Sequence, residues 1–361
     1  MNSSPHIWKI LAINPGSTST KFSVFHNGQE IIQHAQAHTT RELADFKSII
    51  DQESFRYQVI INCLEKDSVD LKSLDAVAAR GGLLKPMPSG VFSVNDCMLN
   101  DLRSCRYGIH ASNLGALLAH RISLLAGCKA YIVDPVVVDE LDEIARFSGF
   151  PEIKRRSIFH ALNHKSVARE VAAKLGKPYE ECNFIVAHMG GGITVGAHSR
   201  GRVIDVNNGL HGEGPFSPDR SGTLPALDLA ELCFSGKYTR DQIMKKIVGK
   251  GGLTAYRGSN SLKELMRAKG NGDTQAKLLF EAFAYQISRE IAMHGATLKG
   301  HVDCIILTGG LAHNNDLINC IKERVGFLAA IETIPGEREM VALAQGALRV
   351  LNQTESAQEY P

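Results

Sequence analysis

One pattern occurs twice in this 361-residue chain, and it restricts the fold more than any other feature. Trp8–Ile13 reads as a strand, Asn14–Lys21 as a polar turn of Gly, Ser and Thr, and Phe22–Phe25 as a returning strand. His26-Asn27-Gly28 then supplies an Asn-Gly hairpin signal, and Glu30–Gln36 reads as a third strand. Later, Phe184–Ala187, the glycine turn His188–Thr194, Val195–His198, the turn Ser199-Arg200-Gly201 and Val203–Val206 follow the same order. Gly16 and Gly28 lie 12 residues apart; Gly190 and Gly201 lie 11 apart. Hairpins are common, so two unrelated ones would give part of this pattern. The shared order of strand, glycine loop, strand, turn and strand favours a duplicated domain. The length also exceeds what one hydrophobic core usually organises.

Helical patterns lie between these strands. Ser112-Asn113 reads as the cap of a helix carrying Leu114, Leu117, Leu118, Ile122 and Leu125 on one face, with Gly127 as its stop. Leu279, Phe283, Ile287 and Ile291 recur every four residues, so 276–298 reads as a long core-facing helix. Met340–Leu351 follows Pro335-Gly336 and reads as a terminal helix. Cys304–Leu307 is a further apolar strand, running into Thr308-Gly309-Gly310. Residues 1–6 read as a frayed start and 352–361 as a loose polar tail. Strands alternating with helices predict an α/β fold.

Composition excludes several function classes. Forty basic and 38 acidic residues leave a formal net charge of +2, which argues for neither a nucleic-acid nor a membrane surface. No apolar stretch approaches the roughly 20 residues of a membrane helix. The apolar run Ile10–Ile13 is too short for a signal peptide. None of the eight cysteines forms a C-x-x-C pair or has zinc-ligand spacing, which fits a reducing cytoplasm.

Several residues are suited to phosphate chemistry, each with a bland alternative. Asn14–Lys21 offers backbone N–H groups, hydroxyls and the Lys21 charge to an anion, or is only a polar hairpin tip. It is not a Walker A loop, since the second glycine before a lysine and the following helix are missing. Three successive glycines, Gly190, Gly191 and Gly192, cost conformational entropy after a buried strand. Close approach of a phosphate explains them, and so does backbone packing. Gly309-Gly310 offers a third contact, and three such loops at strand ends suit a nucleotide held in a cleft between domains. Arg220 and Arg80 are either solvated or placed to grip a carboxylate or a transferring phosphoryl group. His160 and His164 have i, i+4 spacing, which suits metal ligation, although a third ligand and a nearby glutamate are missing. His160 is also suited to donating a hydrogen bond to developing charge. Asp134, ending the strand Ala130–Val133, and Glu339, opening the terminal helix, are suited to Mg2+ or to turn and helix-end roles.

In order, the segments ARGGLLKPMPSG at 79–90, HASNLGALLAHRI at 110–122, YIVDPVVVDELDEIARFSGFP at 131–151 and RRSIFHALNHKSVAR at 155–169 carry a resemblance. So do IVAHMGGGITVGAHSRGRVIDVNNGLHGEGPFSPDRSGTLP at 185–225, LCFSGKYT at 232–239, GKGGLTAY at 249–256, IILTGGLAH at 305–313 and PGEREMVALAQGALRVL at 335–351. The chain resembles the acetate and butyrate kinase family over nearly its whole length, the butyrate branch more closely. Acetate kinases usually carry Asn where this chain has Gly191, and more residues between the first arginine and its Gly-Gly pair than Arg80-Gly81 allows. The chain is also shorter than a usual acetate kinase.

That resemblance implies a fold of two duplicated actin-like ATPase (ribonuclease H-like) domains with an interdomain nucleotide cleft. The expected boundaries are 1–138 with 340–361, closed by the C-terminal helix, and 139–339, carrying the adenosine-side contacts. It implies that Asn14, Ser17, Ser19 and Lys21 form a first phosphate loop, and His188 with Gly190, Gly191 and Gly192 a second. Gly309 and Gly310 become the adenosine-side turn. Arg80 and Arg220 become the arginine pair, His160 the transition-state histidine, and Asp134 and Glu339 the acids that orient Mg2+. The implied reaction is in-line phosphoryl transfer between ATP and a short-chain carboxylate, butanoate first, with isobutyrate, acetate and propionate as alternatives. A homodimer or larger homo-oligomer in the cytoplasm is implied as well. Two rivals come from other classes. One is a non-catalytic nucleotide switch, which would not need the arginines, His160 and the acids together. The other is an actin-like metalloenzyme acting on tRNA, with His160 and His164 as ligands.

Overall fold

The computed structural model describes residues 6–361. Of the expected frayed start, residues 1–5 lie outside the described residues. Inter-residue contacts divide the chain into two units. One runs to Val138 and resumes over Arg338–Pro361; the other is Asp139–Glu337.

In the first unit, β1 (Lys9–Pro15), β2 (Ser19–His26) and β3 (Gln29–Ala37) form an antiparallel meander. β4 (Ala76–Arg80) lies parallel to β1, and β6 (Lys129–Val133) parallel to β4, with β5 (Val91–Ser93) antiparallel to β6 at the far side. The second unit repeats this plan. β7 (Asn183–Met189), β8 (Ile193–Ser199) and β9 (Arg202–Val206) form the meander, and β10 (Cys304–Gly309) and β11 (Ile331–Pro335) continue it in parallel.

The repetition extends to irregularities. Asn27 and Gly28 adopt φ of 47° and 83°, and Arg200 and Gly201 φ of 49° and 83°, the positive pair that a type I′ hairpin turn requires. In both meanders the pairing then shifts by one residue at the same distance from the turn. Ile31 is the extra residue of β3, and Ile204 that of β9. Such a bulge is a built feature of a sheet, so two at matched positions mark one duplicated plan.

The expected turns prove shorter than the sequence suggests. Asn14 and Lys21 are cross-strand partners within the β1–β2 ladder, as are His188 and Thr194 within β7–β8. The hydrophobic alternation continues into these polar residues, so the strands run almost to the glycines.

Helices cover the sheets. Asn113–Ala126 places Leu114, Leu117, Leu118 and Ile122 in one core with Leu11, Ile13, Val77 and Ala79. Gly127, at φ 76°, ends it as expected. Ser112 stands at its start but does not cap it: its hydroxyl bonds the His110 ring at 2.7 Å. Leu125 is 47% exposed, against expectation. The helix is about 21 Å long and β4 about 17 Å, so the last turn overshoots the strands. In the second unit Thr274–Thr297 buries Leu279, Phe283, Ile287 and Ile291 in the core that holds Ile185, Ala187, Val195 and Ala197. Ala161–Lys174 packs Val167, Ala168 and Val171 with Phe184, Val186 and Ile306. Each such Val, Leu, Ile or Phe side chain contributes about 1.5–3 kcal/mol through burial. Among the described residues no helix is long and apolar enough to cross a membrane.

The C-terminal tail is not loose. β12 (Gln358–Glu359) pairs parallel to β5, and Tyr360 is buried with Leu83, Phe92, Met98 and Leu102. Its hydroxyl donates to Asp101 Oδ2 at 2.7 Å, and Asn95 Nδ2 donates to its carbonyl at 2.8 Å. The polar composition of 352–361 conceals this, because a single aromatic residue anchors the segment. Tyr360→Ala should therefore destabilise the first unit by about 3–5 kcal/mol, and Tyr360→Phe, which strips Asp101 of its donor, by about 1–3 kcal/mol. Urea unfolding followed by fluorescence of Trp8, the single tryptophan, reads this unit directly; unchanged midpoints would contradict the anchoring role.

Candidate active site

The first glycine loop rests on a residue that the sequence analysis missed. Gln52, Arg56, Ile60 and Leu64 are all buried along one stripe of the helix Glu53–Lys66 and the residue before it. Arg56 is 0% exposed. Its Nη1 donates to the carbonyls of Gly16 (2.8 Å) and Ser19 (2.7 Å) and to Thr20 Oγ1 (3.1 Å). Its Nη2 donates to Ser17 O at 3.1 Å, and Gln52 Oε1 accepts from both Nε and Nη2. The remaining loop carbonyl, Thr18 O, accepts from His38 N at 2.8 Å. The Gly16 N–H donates to Ser19 O at 2.8 Å, so with its carbonyls occupied the loop tip is left with the amide N–H groups of Ser17–Ser19 and the hydroxyls of Ser17 and Ser19, which can donate to an anion. Burial pushes the Arg56 guanidinium down to about 10, so it stays charged at neutral pH. It makes no ion pair among the described residues, so a phosphate above the loop would meet an uncompensated positive charge.

Asn14, Arg80 and Glu339 converge in the same unit. Glu339 opens the helix Glu339–Leu351, where the helix dipole favours a carboxylate. Its Oε1 meets Arg80 Nη1 at 3.0 Å, and its Oε2 accepts from Asn14 Nδ2. Asn14 Oδ1 is buried without a hydrogen-bond partner among the described residues. Asp134 is 2% exposed and holds a left-handed backbone, φ 37°. Its Oδ1 accepts from Gly90 N at 2.8 Å while its own N–H donates to Gly90 O. One carboxylate oxygen thus ties the end of β6 to the start of the neighbouring strand β5. Lys21 and Ser17 are exposed at the hairpin, and Ser19 is half-buried.

The second unit gathers its own set. His160 precedes the helix Ala161–Lys174 and stacks on His188, ring centroids 3.9 Å apart. His160 Nδ1 and His164 Nε2 both bond Thr194 Oγ1, at 3.0 and 2.9 Å. His164 is fully buried and burial holds its imidazole uncharged. The i, i+4 histidines therefore share a hydroxyl, rather than facing a common open position as a ligand pair would. His188 Nδ1 donates to Asn163 Oδ1 at 2.8 Å.

Arg220 is not a solvated loop residue. It lies in a turn closed by Ser217 N donating to Arg220 O at 3.0 Å. Ser217 Oγ donates to Gly191 O at 2.6 Å, tying that turn to the glycine loop. The guanidinium lies directly over Gly192, where any Cβ would overlap Nη1. This close approach accounts for the third glycine of the run. Nη1 also donates to Gly209 O, and Gly209 in turn packs against Thr194, so Arg220 and His160 share a support. The segment GKGG at 249–252 forms the seat: the N–H groups of Gly249 and Gly251 donate to Asp219 O at 2.8 and 3.1 Å. Sequence reading assigned that segment no role, because its glycines serve backbone contacts to a turn far away in the chain. Thr308 pairs with His188 across β10 and β7, and Gly309, at φ 88°, has no room for a Cβ against Met189 O. The Gly309-Gly310 turn is thereby brought beside the Gly190–Gly192 loop.

Two substitutions test these supports. Arg56→Met should release the first loop and raise hydrogen exchange of the Gly16 and His38 amides, which bond Ser19 O and Thr18 O, by at least about tenfold, one lost hydrogen-bonded charge being worth about 1.5–3 kcal/mol. Gly192→Ala should expel the Arg220 side chain while leaving thermal stability within about 1–3 kcal/mol, read from a crystal structure of the variant.

Comparison with known proteins identifies the family. Residues 152–355 match the model of the Acetokinase family. Butyrate kinase 2 of Clostridium acetobutylicum is 52% identical over 353 residues, 98% of this chain and 99% of that protein. Among solved structures, acetate kinase from Porphyromonas gingivalis superposes with a TM-score of 0.78 at 19% identity, covering 95% of this chain and 100% of that one. A propionate kinase from Francisella tularensis gives 0.75 at 18% identity, covering 94% and 98%. At those identities the structures speak for the fold alone, the actin-like ATPase and sugar-kinase fold, which the duplicated sheets share. The match over nearly the entire sequence speaks for more: this chain belongs to the Acetokinase family and is a carboxylate kinase.

Proposed function

We propose that the chain transfers the γ-phosphoryl group of ATP to butanoate, giving ADP and butanoyl phosphate, and runs the reverse reaction. The observation that carries this reading is the seating of Arg220 over Gly192, beside the His160–His188 stack. An arginine held against a phosphate loop, next to a ring able to donate a hydrogen bond, suits a migrating phosphoryl group better than a nucleotide switch. The 52% identity to a butyrate kinase favours butanoate over shorter acids.

A carboxylate is already a nucleophile, so the reaction needs no strong general base. Its obstacle is the repulsion between carboxylate and phosphate. In this reading Arg220 and Arg80 neutralise that repulsion and orient the acyl carboxylate, and Lys21 and the loop amides of Ser17–Ser19, Gly191 and Gly192 hold the β- and γ-phosphates. His160 donates to an equatorial oxygen of the phosphoryl group, where charge shifts during an in-line transfer. Gly309 and Gly310 take the adenosine side.

The residues present fit Mg2+ as well. Mg2+ usually keeps several waters and takes one or two carboxylates plus substrate phosphates. Asp134, Glu339 and the unpartnered Asn14 Oδ1 are hard oxygen donors of that kind. Bound to ATP, the ion would neutralise phosphate charge.

A cytoplasmic setting belongs to the same proposal and suits eight unpaired cysteines. So does a homo-oligomer. The helix Ala226–Phe234 buries none of its residues, and leaves Leu227 72% and Phe234 91% exposed.

Purified protein given ATP, Mg2+ and C2–C6 acids should show its highest kcat/KM with butanoate, each methylene changing the ratio by roughly 10- to 200-fold. A maximum at acetate would sink the substrate assignment. Arg220→Ala should lower kcat for acyl hydroxamate formation by about 100- to 1000-fold; a near-normal rate would remove Arg220 from the mechanism. Chelation should abolish turnover, and Mg2+ should restore it.

A further inference from the structure

Behind His160 runs a buried line of hydrogen bonds that the proposed reaction does not by itself require. His160 Nδ1 bonds Thr194 Oγ1 at 3.0 Å, and Thr194 Oγ1 bonds His164 Nε2 at 2.9 Å. His164 Nδ1 bonds His198 Nε2 at 3.3 Å, and His198 Nδ1 bonds the Tyr179 hydroxyl at 2.7 Å. Thr194, His164 and His198 are 0% exposed and Tyr179 is 4% exposed. Two local periodicities build the line. His160 and His164 stand one helical turn apart at the start of Ala161–Lys174, and Thr194 and His198 lie on one face of β8. The helix pair and the strand pair interdigitate.

Only two proton arrangements let every interior member of such a line accept from one neighbour and donate to the other. A neutral imidazole carries one N–H and one bare nitrogen, so each ring passes its polarity to the next. Burial holds both His164 and His198 well below the usual histidine range, so both rings are uncharged. In one arrangement every proton points from Tyr179 toward His160, and in the other every proton points back.

The charges around Tyr179 choose between them. Lys165 Nζ and the Arg169 guanidinium each lie 5.6 Å from the centroid of the Tyr179 ring. Lys165 is itself fully buried, its Nζ donating to Glu140 Oε2 (2.6 Å) and Gly201 O (2.7 Å), so it is a fixed charge. The Arg169 guanidinium over the phenol, joined by Lys165 as far as Glu140 leaves its charge uncompensated, makes the O–H the better donor and disfavours a proton on the adjacent His198 Nδ1. Both effects drive the protons toward His160.

We propose that the line Tyr179–His198–His164–Thr194 is a positioning device that fixes the tautomer of His160, delivering a proton to Nδ1 from Thr194 and keeping the ring's own proton on Nε2. The Tyr179 hydroxyl donates to His198 Nδ1, His198 Nε2–H to His164 Nδ1, His164 Nε2–H to Thr194 Oγ1, and Thr194 O–H to His160 Nδ1. His160 is then a neutral ring whose remaining edge is a hydrogen-bond donor. The opposite arrangement would leave a bare Nε2, which repels a phosphoryl oxygen. No bond is made or broken in the line. Its link to rate rests on the proposed phosphoryl transfer; the tautomer itself does not.

The test is nitrogen NMR of the full-length protein labelled with 15N-histidine, near neutral pH, with the His160 signals assigned by their absence in His160→Gln. The wild type should show His160 protonated at Nε2 and bare at Nδ1. Thr194→Val, which removes the shared hydroxyl, and Tyr179→Phe, which removes the first donor, should each shift His160 toward a mixed or Nδ1–H state. Their kcat should fall roughly 10- to 100-fold with KM for ATP little changed, the usual cost of losing an orienting partner. Thr194→Ser should restore the tautomer and most of the rate lost in Thr194→Val. If Thr194→Val fails to fold, Tyr179→Phe decides alone. An Nδ1–H tautomer in the wild type, or one unmoved in the folded variants, overturns the proposal. A wild type that phosphorylates no carboxylate would overturn the proposed function, and the NMR tautomer would still decide this inference.

Discussion

A single buried guanidinium organises what the first unit can offer to an anion. The carbonyls of a tight turn point somewhere, and any that faced a phosphate would repel it. Arg56 holds three of the four between Gly16 and Ser19, and His38 N takes the other. Burying a charge is costly unless its hydrogen bonds are satisfied. Here carbonyl, hydroxyl and amide oxygens satisfy them without cancelling the charge. The same side chain is therefore both the scaffold of the loop and a source of positive potential beneath it.

The second unit meets the same requirement differently. Among the described residues no arginine is buried beneath its glycine loop; instead Arg220 lies over it, at Gly192, where any Cβ would overlap the guanidinium. The first unit thus hides its cation and presents amides, whereas the second presents a cation, held by a turn that is itself held by another glycine segment.

What was legible in the sequence, and what was not, follows from the range of the forces involved. Both meanders could be read because strand alternation and glycine turns are local. The long helix Thr274–Thr297 could be read because four large apolar residues share one stripe. His160, Arg220 and Glu339 were legible as chemistry only with the help of a family resemblance; alone, each had an ordinary structural explanation. Arg56 was missed because a helical arginine normally faces water. Its spacing with Gln52, Ile60 and Leu64 was the available signal. The tail from 352 onward was misread because composition averages over residues, whereas its anchoring rests on one buried aromatic, Tyr360, and on the two-residue pairing of β12 with β5. The structural duty of Asp134 toward Gly90 depends on a left-handed backbone that no local pattern announces.

The paired bulges have a consequence for how such loops can change. In each meander the positive-φ turn and the extra residue, Ile31 or Ile204, lock the strands at the end remote from the glycine loop. Register there no longer depends on the loop itself. The loops do differ: four residues separate Pro15 from Thr20, and three separate Met189 from Ile193. A hairpin fastened at its far end behaves like a hinge-free handle, whose grip can be lengthened or shortened without disturbing the side that faces the core. Loop grafting between the two halves, or between members of the fold, is then a tractable route to new anion specificity.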